Sequence, residues 1–312
     1  MSLESVNRKR EIEDLEFYLE KPIYTLLGAS VGPEEKKVNV IGVPLEDTVS
    51  FRPGTRFAPD VLRSVSRFVE YSSSSDSVLS FSLLVDCGNV TLLQGAVSRN
   101  LDRIRRVGSV LLRVCRGLLV VGGEHTLTLA LADVLAERGN VLLVVFDSHL
   151  DLKDEWPPGQ EVSHATFLRR LLEKRQNITV LHVGSHAFDE KELRFLEENK
   201  SRLVRIGPAE AHPGRLSRLV RDLSRDVEHV YISIDVDVLD PAQMPATSNP
   251  EGVGLSYRDL TCCLQLIAQS LNNKIRIVDI VEYNPLLDQG YTYATRIIKL
   301  MIDTVTTIWQ YA

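Results

Sequence analysis

A chain of 312 residues with 44% hydrophobic and 25% charged side chains has the composition of a globular protein with a substantial core. Its formal net charge of −6 argues against nucleic acid or an anionic membrane as the main partner, and is compatible with a small cation. The four cysteines, Cys87, Cys115, Cys262 and Cys263, show no CxxC spacing, which argues against a zinc ribbon or disulfide framework and fits a reducing cytoplasm.

Residues 1–37 read as an N-terminal helix and loop appended to the core. The helix is expected over about residues 6–20, is rich in charge and has no apolar signal-peptide core. Gly32-Pro33-Glu34-Glu35-Lys36-Lys37 then forms a solvated loop. Residues 38–312 read as a single domain. Apolar runs recur at 38–43, 83–85, 118–121, 141–146, 178–183, 203–206, 230–234 and 275–281. Stretches of helical period separate most of them, at 127–138, 165–174, 190–199, 216–227, 257–270 and 292–311. Strands that are apolar throughout, alternating with amphipathic helices, predict a mainly parallel sheet of about eight strands covered on both faces. No window approaches the ~18 uninterrupted apolar residues of a membrane span. In such folds ligands bind beyond the carboxyl ends of the strands, beside a switch in strand order.

Four polar segments follow apolar runs. The first is Gly122-Gly123-Glu124-His125-Thr126, whose histidine, taken alone, serves equally well as a helix cap or turn filler. Asp147-Ser148-His149-Leu150-Asp151 is more specific, because a buried strand ending in alternating Asp and His has no packing reason to do so. In Ser233-Ile234-Asp235-Val236-Asp237, an extended register would turn Asp235 and Asp237 one way and Ile234 and Val236 the other. Asp240-Pro241 sets the turn after that strand. The last segment, Val281-Glu282-Tyr283-Asn284-Pro285, ends the run 275–281; Glu282 there suits either a neighbouring arginine or a cationic ligand.

The donors are two imidazoles, His125 and His149, and four carboxylates, Asp147, Asp151, Asp235 and Asp237. A mononuclear catalytic zinc site needs about three protein ligands, so a set this large, mostly hard oxygen, suggests two ions sharing carboxylates. The donors favour Mn²⁺ over Zn²⁺, with cobalt and iron also compatible. Two such ions can lower the pKa of a shared water toward neutrality, so metal-assisted hydrolysis is the expected reaction class. A carboxylate facing that centre, Glu282, matches the planar fork of a guanidinium.

Together the segments GGEHT, DSHLD, SIDVDVLDP and VEYNP resemble those of the ureohydrolase family, which includes arginase, agmatinase and related amidinohydrolases. Gly42-Val43-Pro44, Arg52-Pro53-Gly54-Thr55-Arg56 and Asp86-Cys87-Gly88-Asn89-Val90 are similar to the family's N-terminal core segments, so the resemblance runs from about Val38 onward. It implies an arginase-like three-layer α-β-α sandwich and two Mn²⁺ per subunit. By position, Asp147 and Asp235 would bridge the ions, His125 and Asp151 would complete one site, and His149 and Asp237 the other. Asp151 would also move a proton toward the leaving amine, Glu282 would anchor the guanidinium, and His164 would serve in proton transfer near the leaving group. An imidazole of ordinary pKa suits that task.

The Ser-Gly-Asn-type segment by which arginases hold an amino-acid head group is missing from residues 153–162. Ser163-His164-Ala165-Thr166 and the RPGTR block look more like agmatinases. The resemblance therefore implies hydrolysis of agmatine to putrescine and urea, a step of polyamine biosynthesis, with guanidinobutyrate or arginine as the rival substrates. A one-zinc deacetylase-like amidohydrolase and a non-catalytic relative are the other readings. Asp154, Glu155 and Glu161 stand in the loop after the first acidic cluster, better read as solvated acids than as partners of a distal ammonium. The segment Pro245-Ala246-Thr247-Ser248-Asn249-Pro250 lacks the family's usual glycines, which places its departure near the substrate pocket. A homo-oligomer, trimer or hexamer, is also implied by the resemblance.

Overall fold

The computed structural model describes residues 10–310 of the chain. Its ten strands are β1 (Leu19–Glu20), β2 (Ser30–Val31), β3 (Val38–Val43), β4 (Leu84–Val90), β5 (Gly117–Gly122), β6 (Val141–Phe146), β7 (Ile178–Val183), β8 (Leu203–Ile206), β9 (His229–Asp235) and β10 (Ile275–Val281). The eight expected apolar runs are β3 to β10. Their order in the sheet is β1-β4-β3-β5-β10-β9-β6-β7-β8, with β2 also paired to β4. All pairings are parallel except that of β1 with β4.

The N-terminal segment corrects the expectation of one helix over residues 6–20. Residues 10–14 are helical, Leu15–Phe17 form a 3₁₀ turn, and Leu19–Glu20 are extended; the part before residue 10 lies outside the described residues. Pairing of Leu19 with Val90 and Glu20 with Asn89 satisfies edge backbone groups, and Pro22 has no amide hydrogen with which to continue a helix. Leu15, Leu26 and Leu27 are buried, so this segment supplies core as well as sheet edge.

Each central strand feeds both faces. On β6, Leu142, Val144 and Phe146 join one apolar cluster while Val141, Leu143 and Val145 join the other, the alternation that a pleated strand imposes. Helices Ala58–Ser66, Pro213–Leu223, Tyr257–Leu271 and Thr292–Val305 cover the first face. Helices Val97–Val114, Leu127–Ala136, Phe167–Lys174 and Glu190–Glu198 cover the second. The expected helix over 292–311 changes at Thr306–Gln310 to a π turn, and residue 311 lies outside the described residues. No helix among the described residues is long and apolar enough to cross a membrane.

One consequence of the strand order matters for chemistry. β5, β10, β9 and β6 are consecutive neighbours although they are far apart in sequence. Their carboxyl ends carry the four polar segments, so parallel pairing delivers all of them to one edge of the sheet.

Candidate active site and metal centre

Each strand end presents its polar group, still buried, at the carboxyl edge of the sheet. After β5, Gly123 passes against the Leu45 backbone, where a Cβ would stand 2.0 Å from the Leu45 carbonyl oxygen. Only glycine allows that approach, and it brings His125 over the sheet edge. Asp151 and Glu282 both adopt left-handed backbone, with φ of 53° and 63°, which is costly for a side chain other than glycine and is held here by the surrounding structure. Asp235 is the last residue of β9, whereas Asp237 lies in the 3₁₀ turn Val236–Val238. The expected β register thus ends two residues early, at Asp235, whose carboxylate accepts the Asp237 amide at 2.8 Å and caps the turn. Asp240 likewise accepts the Ala242 amide at 2.8 Å, the turn-setting role expected of it.

The six expected metal ligands converge. His125 Nδ1 lies 3.0 Å from Asp147 Oδ2, 3.3 Å from Asp151 Oδ2 and 3.4 Å from Asp235 Oδ2. His149 Nδ1 lies 2.9 Å from Asp237 Oδ2 and 3.5 Å from Asp147 Oδ1. Asp147 therefore offers one oxygen to each imidazole. Two groups of donors close enough to hold a cation result, His125–Asp147–Asp235 and Asp147–His149–Asp237, with Asp147 common to both. The buried atoms His125 Nδ1 and Asp147 Oδ2 have no hydrogen-bond partner, which fits the donors to a metal ion rather than to one another.

The outer ring nitrogens are also engaged. His125 Nε2 is 2.8 Å from Ser233 Oγ, which donates to Asp279 at 2.6 Å; Tyr231 and Thr128 hydroxyls donate to the same buried carboxylate. His149 Nε2 is 3.3 Å from Glu251 Oε1.

So dense a set of acids titrates abnormally. Burial, then the charge of Asp147, pushes the Asp151 carboxyl up to about 8. Burial and then Asp237 raise Asp235 well above the usual range, and burial raises Asp237 too. Burial opposes ionisation of Asp147 as well, but the adjacent His125 and His149 imidazoles hold that carboxyl well below its usual range. Burial similarly disfavours both imidazolium ions, and their aspartate neighbours outweigh it. A multivalent cation is the chemical complement of such a cluster.

Beside these donors opens a cavity of about 540 Å³ that His164 and Glu282 also line. Glu282 Oε1 accepts the His125 amide at 2.8 Å, and burial raises its carboxyl to about 8. His164 is buried between Thr48 Oγ1, 3.3 Å from its Nδ1, and Ser50 Oγ, 3.3 Å from its Nε2. Burial, followed by the charges of His149 and His125, lowers its pKa to about 4. The expectation of an ordinary histidine pKa is therefore corrected: this imidazole is neutral at pH 7. Glu124 accepts from the Thr48 amide at 2.8 Å and from both the Thr48 and Thr126 hydroxyls, and so positions the loop that holds His164.

Other residues of the wall escaped the reading of the sequence. Lys153, Asp189, Glu192 and Glu251 line the mouth, with Phe51 and Trp156 as apolar walls. Lys153 Nζ lies 3.0 Å from Asp189 and 3.2 Å from Glu192. Asp154, Glu155 and Glu161 do not line the cavity; Asp154 pairs with Arg169 and Arg170, and Glu155 accepts the Gly159 amide. The solvated reading of those acids fits. Asp189 and Glu192 follow β7, a strand whose end carries no repeated acid–histidine pattern to advertise it.

The sequence model of the Arginase family matches residues 36–306. The chain belongs to the arginase family. An agmatinase from Bacillus cereus is 32% identical over 261 residues, covering 82% of this chain and 87% of that protein. A proclavaminate amidinohydrolase from Streptomyces clavuligerus is 29% identical over 284 residues, 88% of each chain. Among solved structures, the agmatine ureohydrolase of Thermoplasma volcanium superposes with a TM-score of 0.79 at 26% identity, covering 96% of this chain and 98% of that one. This arginase-family chain is accordingly a hydrolase of the ureohydrolase type with an arginase-like fold.

Proposed function

We propose that this arginase-family protein is a dinuclear manganese agmatinase, hydrolysing agmatine to putrescine and urea in the cytoplasm as a homo-oligomer, trimer or hexamer. The observation that carries the reading is the division of Asp147, one oxygen toward His125 and the other toward His149, beside the buried carboxylate Glu282. His125, Asp147, Asp151 and Asp235 are assigned to one ion, and Asp147, His149, Asp235 and Asp237 to the other. The chemistry that two divalent cations supply when bound is the polarisation of water, which makes hydroxide available near neutral pH.

The protein's own residues do the rest. Glu282 receives the guanidinium, a planar group matched to a carboxylate. Asp151 accepts the proton of the attacking water and passes it toward the leaving nitrogen. His164, neutral between two hydroxyls, relays a proton near that nitrogen. Phe51 and Trp156 flank the aliphatic chain. A single-zinc hydrolase would leave half of these donors without a task.

Urea release by Mn²⁺-loaded protein from agmatine, guanidinobutyrate and arginine tests the assignment. Agmatine is expected to be the best of the three. Turnover of another guanidino compound with none of agmatine would overturn the substrate, and no urea from any of them would overturn the enzyme.

A further inference from the structure

The two histidines of the centre are supported in different ways. Both turn Nδ1 toward the carboxylate oxygens and Nε2 away from them. Behind His125 stands a buried network, Ser233 Oγ and then Asp279, the latter satisfied by three hydroxyls and the Ile234 amide. Behind His149 stands one residue, Glu251, with its Oε1 3.3 Å from Nε2. The His149 side chain is 28% exposed and that of Glu251 36%, so this pair sits at the cavity wall rather than inside the sheet edge.

Glu251 is not on a free loop. The preceding segment is tied to the RPGTR block and to the residues that follow β10: Arg52 donates to the carbonyls of Thr247 and Ser248 at 2.7 and 3.0 Å, and Ser248 Oγ donates back to the Arg52 carbonyl at 2.7 Å. The Asn284 amide donates to the Ala246 carbonyl at 2.9 Å. These bonds fix the segment 245–250 beside the site and deliver the next residue, Glu251, to His149. The segment is the one that lacks the family's usual glycines.

We infer that Glu251 is a positioning residue for the second metal site: it accepts the Nε2 hydrogen of His149, fixes the tautomer that leaves Nδ1 free to ligate, and raises that nitrogen's basicity. A carboxylate in that position is the usual support of a metal-binding imidazole. This inference rests on the dinuclear reading above. It gives Glu251 a role in metal retention, distinct from receiving the substrate's tail.

The test is a Mn²⁺ titration of wild type, Glu251→Gln and Glu251→Ala without substrate, read by electron paramagnetic resonance and calorimetry, with urea kinetics as a second readout. In Glu251→Ala one of the two Mn²⁺ ions is expected to bind about 10–100-fold more weakly while the other is unchanged. Glu251→Gln should fall between, because its amide oxygen accepts the same hydrogen bond without the charge. Unchanged Mn²⁺ affinities in both variants, with a raised KM for agmatine, would make Glu251 a substrate contact and overturn the inference. Equal weakening of both ions would also overturn it, pointing to a general disturbance of the loop. Wild-type protein that bound no Mn²⁺ would overturn the dinuclear reading itself, an outcome the two variants cannot mimic.

Discussion

At the scale of single residues, the centre depends on groups that would be destabilising without their partners. His164 is the clearest case. It touches no proposed ligand directly and sits between Thr48 and Ser50, so its removal should leave metal content intact. His164→Ala is expected to lower turnover by about 10²–10⁴-fold, the usual worth of a positioned proton-transfer group. Unchanged kcat would remove it from the reaction, and loss of bound Mn²⁺ would make its role structural. The proposed ligand residues were legible in the sequence because alternating Asp and His at the end of an apolar strand is costly unless a cation pairs with them. The supporting residues were not. Glu251, Thr48 and Ser50 meet their histidines only through tertiary position, and nothing in the local pattern of NPEG or DTVS states which histidine that will be.

Among the elements, β5, β6, β9 and β10 do most to build the site, and their apolar runs announced them. Their adjacency was not announced: β6 follows β5 in sequence, yet β10 and β9 lie between them in the sheet. Only pairing and crossover geometry decide that. The N-terminal strands were hidden for a different reason. Leu19–Glu20 is two residues long, and its extended state comes from pairing with β4 rather than from local propensity.

The Asp86-Cys87-Gly88-Asn89-Val90 segment acquires a physical role at this scale. Asp86 receives Arg63 through two hydrogen bonds, Nε at 2.8 Å and Nη2 at 2.9 Å, and accepts the Leu26 amide at 2.8 Å. Both charged side chains are almost fully buried, so the pair locks helix Ala58–Ser66 and the N-terminal segment onto β4. Replacing Arg63 by Met would leave Asp86 buried without its counter-ion. The expected cost is about 3–5 kcal/mol in chemical denaturation. A loss of well under 1 kcal/mol would show that the carboxylate finds other partners.

For the whole molecule, the carboxylate–histidine cluster links stability to pH and to metal. Without metal, the folded Asp151 and Glu282 carboxyls titrate at about 8, far above their unfolded values of ~4, and His125 and His149 are raised too. Between about pH 6.5 and pH 8 the folded chain thus holds more protons than the unfolded chain, so stability falls as pH rises through this window. His164 and His182, both lowered to about 4 mainly by burial, are neutral in the folded state there and only begin to oppose folding below about pH 6.5. The melting temperature of metal-free protein is expected to drop from about pH 6.5 to about pH 8. Saturating Mn²⁺ should stabilise more at the upper end, because binding displaces those protons. Parallel pH profiles with and without Mn²⁺ would contradict this linkage.

The same cluster supplies the most direct test of the account. Equilibrium dialysis of purified protein against Mn²⁺, with metal counted per chain, should reach two ions for wild type, and Asp147→Asn should lose both because that residue serves both groups. Saturation of the wild type at a single ion, or two ions retained by Asp147→Asn, would contradict a centre built on a shared Asp147.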